Sequence, residues 1–210
     1  MRIRIPSLRD RRVLVVAALC VLAAAAALTG VWPLSHLPGV WSVPGRWTEA
    51  RPGWLFRSGQ IPASDVADVL REERIDVVID LTDDSPDKLR DSEAAAAQRL
   101  GIRYMHLPVM HPKERLFDSL STAVAEIELA RRRGDRVLVH CTYGHRRSAA
   151  ALALYARIIE HEPRHVAFAE FTRYSDADST WSDGVMNLLD RNMDDVAAQV
   201  RAKLAEAEPG

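Results

Sequence analysis

A cysteine and an arginine six positions apart are the residues of this sequence best suited to chemistry. A thiolate is a strong nucleophile. A guanidinium binds two oxygens of a phosphate or carboxylate as a fork. The pair therefore predicts a nucleophile beside an anion-binding group. The complete string is His140, Cys141, Thr142, Tyr143, Gly144, His145, Arg146, Arg147 and Ser148.

The segments on either side predict how this string is held. Residues 136–139 favour a buried strand, and residues 149–159 favour a buried helix. N–H groups at the start of a helix lack intrahelical acceptors, and the helix dipole adds positive potential there. Residues 142–147 are therefore predicted to form a backbone cradle for an anion, in which Cys141 loses its proton easily. Gly144 allows a loop conformation that a side chain would obstruct.

The pattern His-Cys-x5-Arg-Ser resembles the signature of the cysteine-dependent protein tyrosine phosphatase superfamily, and in particular its dual-specificity branch. Weaker similarities lie at residues 56–60 and 104–109. The resemblance implies a hydrolase that cleaves phosphomonoesters through a phosphocysteine intermediate, without a cofactor or metal. A buried structural cysteine is the ordinary alternative, but it would not require an arginine six residues later.

The same resemblance implies a role for each residue of the string. Cys141 would be the nucleophile, and Arg147 would bind the phosphate together with the backbone of residues 142–147. Ser148 would hydrogen-bond the thiolate and help it leave in the second step. His140 would order the loop and lower the pKa of the cysteine.

The sequence departs from the family pattern at the proton donor. Family enzymes carry an aspartate on a loop upstream of the cysteine, whereas His111 occupies that place here. His111 could itself be the acid, because imidazolium titrates near neutral pH. Asp118 could reach in from the same loop, and it is our first choice, although it could instead be a helix N-cap or a solvated residue. Asp83 or Asp84, after an earlier strand, is the third alternative.

The basic residues of the loop bear on the substrate. His145, Arg146 and Arg147 are consecutive, and the resemblance associates such extra cations with phosphoinositide or inositol phosphate substrates. The alternative is that Arg146 points to solvent and pairs with a surface carboxylate. The expected partner is a phosphorylated protein, another anionic phosphomonoester or a lipid phosphate. Two other functions stay open: a catalytically weak phosphate-binding module, or pseudophosphatase, and a sulfur carrier with a similar cysteine loop.

The N-terminal residues have the pattern of a membrane segment. Residues 1–12 contain five arginines, and residues 13–34 are a mostly apolar run of 22 residues. About 20 apolar residues span a bilayer as a helix, and preceding arginines favour a cytoplasmic N-terminus. We expect a single-pass signal-anchor with the catalytic domain outside the cytoplasm. A cleaved signal peptide and a secreted domain are the alternative, because residues 23–27 are all alanine.

Length and composition predict one domain after this segment. The chain has 210 residues, a net charge of −1 and 48% hydrophobic residues, which suffices for one core and gives no sign of nucleic-acid binding. Residues 35–53 are predicted to be a linker or a loosely packed lead-in strand, and residues 54–210 a phosphatase-like domain. Strands alternate with helices, which predicts an α/β fold with a central, mostly parallel sheet flanked by helices. The second cysteine, Cys20, lies in the apolar run, so Cys141 is expected to be a free thiol.

Overall fold

The structure is a computed structural model that describes residues 47–110, 112–174 and 180–207. The predicted membrane segment, residues 13–34, and the candidate acid His111 lie outside these residues. Within the described part of the chain, no helix is both long enough and apolar enough to span a bilayer.

Strands and helices alternate along the described chain, as the sequence predicts. The strands are β1 (Thr48–Arg51), β2 (Leu55–Ser58), β3 (Val77–Asp80), β4 (Arg103–His106) and β5 (Val137–His140). The helices are α1 (Val66–Glu72), α2 (Lys88–Leu100), α3 (Lys113–Arg133), α4 (Arg147–Ile158), α5 (Arg164–Tyr174), α6 (Thr180–Arg191) and α7 (Met193–Ala207).

The strands form one mixed sheet in the order β1-β2-β5-β3-β4. The pairs β2–β5, β5–β3 and β3–β4 are parallel, and only β1 and β2 are antiparallel. The predicted α/β class is therefore confirmed, with an antiparallel edge strand added to a parallel sheet. That edge strand falls inside residues 35–53, so the end of the predicted linker contributes to the sheet.

The two inner strands β3 and β5 begin with three apolar residues that are buried on both faces, which is expected where helices cover the sheet on both sides. Residues 77–79 and 137–139 are at most 2% exposed. In the register of the sheet, Ser58 and Asp80 lie on either side of His140. The carboxyl ends of three strands therefore meet at the point where the cysteine loop begins.

Helix α3 begins earlier than the sequence predicts. The sequence favours a helix from Leu116, with a bend before it, whereas the structure begins the helix at Lys113, directly after Pro112. Proline is well tolerated at a helix start because the first turn needs no N–H donor there. As a result, Asp118 lies in the second turn of a regular helix rather than on a loop or at the N-cap.

Candidate active site

The cysteine loop joins the central strand β5 to helix α4. Cys141 follows the end of β5 directly, and the helix begins at Arg147, so Ser148 lies in its first turn. The cysteine is a free thiol and only 4% exposed, and its Sγ atom lies 3.6 Å from Ser148 Oγ. The predicted arrangement of a strand, a tight loop and a helix N-terminus is therefore observed.

The neighbouring strand β2 helps to shape this loop. The Arg57 side chain is fully buried, and its Nη1 donates a 2.8 Å hydrogen bond to the Gly144 carbonyl. The Gln60 N–H donates to the Thr142 carbonyl at 3.2 Å. Gly144 has a φ of +67°, and a Cβ at this position would lie only 2.5 Å from the Gly59 nitrogen. Glycine is therefore required here for both its backbone conformation and the space it leaves.

The surroundings of the thiol favour its ionised form. Burial raises the pKa of Cys141, but hydrogen bonds from the Ser148 N–H and hydroxyl, the Gly144 N–H and the charge of His140 lower it. The net effect is a pKa below that of an ordinary cysteine. A reactive cysteine requires such an environment, whereas burial in an apolar core alone would make the thiol inert.

A pocket of about 520 Å³ opens above the thiol. Arg147 contributes its guanidinium to the wall: Nη2 lies 3.2 Å from Asp83 Oδ2, while Nη1 is buried and has no hydrogen-bond partner among the described residues. A buried donor without an acceptor is costly, and an anion bound in the pocket would supply one. The lining residues are Asp83, Cys141, Thr142, Tyr143, His145, Arg146 and Arg147.

His140 lies beneath the loop in a buried charged network that the sequence does not reveal. Its Nε2 atom is 2.8 Å from Glu93 Oε2 and 3.8 Å from Asp80 Oδ1, and all three side chains are at most 1% exposed. Tyr104 donates a 2.7 Å hydrogen bond to Asp80 Oδ2, as does the Thr82 hydroxyl at 3.0 Å.

The charges of this network keep a proton on His140. Burial alone would lower the pKa of His140, but Glu93, Asp80 and Cys141 together raise it to about 9. Asp80, Glu93 and His140 therefore form an ion-paired network. The positive charge lies directly behind the cysteine.

The candidate proton donors lie in different places. Asp118 does not line the pocket above Cys141: its carboxylate is 70% exposed and lies 2.8 Å from Lys203 Nζ of α7. It faces α7 because α3 is already regular at this point, and our first choice for the acid is not supported. Asp84 pairs with Arg115 at the surface.

Asp83 is the candidate that the structure brings to the pocket. Hydrogen bonds from the Ser85 hydroxyl and N–H, together with Arg147, hold the pKa of Asp83 below its usual value against the raising effect of burial. In this state the carboxylate is ionised and paired with Arg147. The sequence placed Asp83 after a strand but gave no reason to prefer it to Asp84.

Comparison with known proteins agrees with this fold and site. Residues 59–162 match the family model "Dual specificity phosphatase, catalytic domain". No curated protein sequence matches the chain. A protein built on this fold with this loop is a cysteine-phosphatase-like protein. The chain belongs to the dual-specificity phosphatase-like members of the cysteine-dependent protein tyrosine phosphatase superfamily, which confirms the resemblance drawn from the loop.

Solved structures share the fold at low sequence identity. DUSP15 has a TM-score of 0.56 at 22% identity, over 78% of this chain and 97% of its own. Tk-PTP in its active form has a TM-score of 0.55 at 20% identity, over 69% of this chain and 96% of its own. PTPMT1 has a TM-score of 0.54 at 15% identity, over 76% of this chain and 99% of its own.

Proposed function

We propose that this protein hydrolyses phosphomonoesters through a phosphocysteine intermediate. The observation that carries the proposal is the pocket itself. Cys141, whose pKa is lowered, and Arg147 both line it, and Arg147 Nη1 is a buried donor without an acceptor among the described residues. A phosphate dianion on the pocket floor would accept from Arg147 and from the loop N–H groups. The same contacts would stabilise the charge of the transition state.

The proposed reaction consists of two successive displacements at phosphorus. In the first, Cys141 Sγ forms a bond to phosphorus while the bond to the leaving oxygen breaks, and that oxygen takes up one proton. In the second, water attacks the phosphocysteine, the S–P bond breaks, and inorganic phosphate leaves. The Ser148 hydroxyl, 3.6 Å from the sulfur, is placed to donate to the departing thiolate.

Asp83 is the residue that we propose as the proton donor. Its carboxylate lines the pocket and contacts Arg147 in the absence of substrate. A bound phosphate would draw Arg147 away and place negative charge beside the carboxylate, and both changes raise a carboxyl pKa. Substrate binding would thus turn an ionised Asp83 into a protonated acid.

The residues at the mouth of the pocket favour a substrate that combines an anionic group with an apolar or aromatic part. Tyr143 is 74% exposed, and its ring lies edge-on to His145 with centroids 6.2 Å apart. Arg146 lies beside them in the lining. Phosphotyrosine-like esters and phosphoinositides both combine these features, and a panel of the two types would distinguish them.

The central experiment measures phosphate release from an aryl phosphate by the full-length protein, with Cys141→Ser as the matched variant. We expect turnover by the wild type and none by the variant, which removes only the nucleophile. A wild type that binds inorganic phosphate without releasing any from the ester would instead be a phosphate-binding module. A persulfide on Cys141, detected by mass spectrometry, would indicate the sulfur carrier.

A test of the role of Asp83 requires substrates with different leaving groups. If Asp83 is the acid, Asp83→Asn should slow hydrolysis of alkyl phosphates about 100-fold and that of aryl phosphates much less, because a good leaving group needs no proton. Asp84→Asn is the matched control, since its carboxylate pairs with Arg115 outside the pocket. An equal loss on both substrate types would mean that Asp83 only positions Arg147.

We also propose, from the apolar run alone, that residues 13–34 anchor the protein in a membrane with the catalytic domain outside the cytoplasm. Cells expressing the full chain should retain it in the membrane fraction after washing with carbonate. Release of a shortened chain into the medium would instead indicate a cleaved signal peptide.

A further inference from the structure

Glu93 is a buried carboxylate that the reaction as described does not use. It lies on α2, 1% exposed, and its nearest charged neighbour is His140 at 2.8 Å. Neither of its oxygens makes a hydrogen bond of regular geometry among the described residues. An ionised group in such a place is strongly unfavourable unless an opposite charge faces it. The opposite charge available is that of the His140 ring.

The elements around His140 explain why the ring needs this partner. His140 ends the central strand, so the sheet closes its sides, and the ring is 0% exposed. One carboxylate oxygen each of Asp80 and Glu93 and one ring nitrogen lie within 4.8 Å of one another. Asp80 already accepts from the Thr82 N–H, the Thr82 hydroxyl and Tyr104. Glu93 is therefore the less committed of the two carboxylates.

We propose that Glu93 is a positioning residue that holds the His140 ring and its positive charge behind Cys141, so that the thiol is ionised before substrate arrives. The inference rests on the proposed function, because an ionised thiol matters only if Cys141 is the nucleophile, but its test does not require ester hydrolysis. Glu93 reaches the sulfur only through His140. The charged and titratable groups that act on the ring are Asp80 of β3, Glu93 of α2 and Cys141 itself, and Tyr104 of β4 lies on the far side of Asp80.

A passive role in packing would make a different prediction. A carboxylate that only fills space could be replaced by an amide of the same shape with a loss of stability alone. A carboxylate that holds charge on His140 must also change the ionisation of Cys141. An opposite charge nearby shifts a pKa by about 1–3 units, and here the effect passes through one intervening ring.

The test measures how fast iodoacetamide alkylates the full-length protein between pH 4 and pH 10. Cys141→Ser supplies the rate for Cys20, the other cysteine. We expect the midpoint for Cys141 to rise by about one pH unit in Glu93→Gln and to be unchanged in Glu128→Gln. The control removes another buried carboxylate, 3% exposed, that pairs with arginines of its own helix.

Each outcome separates this inference from the proposed function. A midpoint that is low in the wild type and raised only in Glu93→Gln supports the inference even if no ester is hydrolysed. An equal shift in both variants, or none in Glu93→Gln, overturns it even if hydrolysis is fast.

A second measurement uses the wild-type protein and therefore does not depend on whether a Glu93 variant folds. Wild-type protein with ¹⁵N-labelled histidine should show, at pH 8, one imidazole protonated on both nitrogens that is missing from His140→Asn. A neutral His140 ring at that pH would overturn the inference.

Discussion

Two buried glutamates, on two helices that follow each other in the chain, show how differently the same side chain can be used. Glu128 on α3 receives hydrogen bonds from Arg131 Nε and Nη2, Arg132 Nε and the Tyr155 hydroxyl, at 2.8 to 3.1 Å. Glu93 on α2 faces one imidazole. Both carboxylates are at most 3% exposed.

The difference lies in where the compensating charge comes from. The arginines beside Glu128 are about half exposed and stay charged at any physiological pH, so that network does not change across the physiological pH range. The charge opposite Glu93 is a proton on His140, which the network itself has to retain. A carboxylate surrounded by permanent cations stabilises the fold, whereas a carboxylate facing a histidine can control a neighbouring thiol.

The largest effect should come from Arg147, the proposed phosphate-binding residue. Arg147→Lys retains the charge but loses the fork that binds two oxygens, so kcat/KM for an aryl phosphate should fall about 100- to 1,000-fold. The urea midpoint should change little, because Arg147 is part of the site and not of the core. Arg146→Lys is the control: an equal loss there would mean that the effect is not specific to Arg147, and no loss in Arg147→Lys would mean that positive charge alone is sufficient.

The next effect is a loss of stability above pH 6.5 that only one of the two glutamates produces. The pKa of His140 is raised to about 9 in the folded protein, above its ordinary value of about 6.5. The stabilisation that protonated His140 gives to the folded protein is therefore fully present below pH 6.5 and is lost as the pH rises through 9. In a Cys141→Ser background, which removes the thiol's own titration, the loss should be on the order of 1–2 kcal/mol.

Urea unfolding at pH 6.5 and pH 9.5 measures this loss. Adding Glu93→Gln to the same background should remove most of it, while adding Glu128→Gln should leave it in place. A loss that persists with Glu93→Gln would assign the pH dependence to other groups.

A smaller effect is expected from Glu128→Gln itself. Arg131 and Arg132 lower the pKa of Glu128 to about 2 against the raising effect of burial. This stabilisation is present above pH 4.5 and is lost as the pH falls through 2. Since both arginines are about half exposed, Gln should cost only about 1 kcal/mol at pH 7. Thermal unfolding measures the cost, and unchanged kcat/KM would confirm that this network is structural.

The smallest effect belongs to Asp118. The pair that it forms with Lys203 is largely exposed on the aspartate side, and exposed pairs contribute about 0–1 kcal/mol. Asp118→Asn should therefore leave the rate on both aryl and alkyl phosphates unchanged. A selective loss on alkyl phosphates would restore Asp118 as the proton donor in place of Asp83.

Local features of the chain predicted the part of the site that is itself local. The apolar run before Cys141 and the helix after it bracket the nucleophile, and together with Arg147 they define the pocket floor. The structure departs from prediction where side chains arrive from distant positions. Asp83 and Glu93 come from elsewhere in the chain, and no spacing rule links them to Cys141.

Two further features of the structure are not visible in the sequence, for simple physical reasons. Pro112 can start a helix as readily as it can end one, so the start of α3 and the direction of Asp118 were not fixed by the sequence. Arg57 lies in a short strand, where a charged residue ordinarily predicts exposure. Its burial becomes understandable only when the Gly144 carbonyl is seen to accept its hydrogen bond.

The contact between β2 and the cysteine loop has a consequence for the newborn chain. Arg57 and Gly144 are 87 residues apart, and the ribosome delivers the N-terminal part first. The hydrogen bond between Arg57 of β2 and Gly144 can therefore form only after β5 and the loop have been made. Bringing together two residues so far apart in the chain is also entropically costly. Until then Cys141 lacks the N–H groups and the imidazolium that ionise it. A chain that has been made past Cys141 but has not yet folded thus carries an ordinary thiol there, which is less easily oxidised than the thiolate of the finished domain.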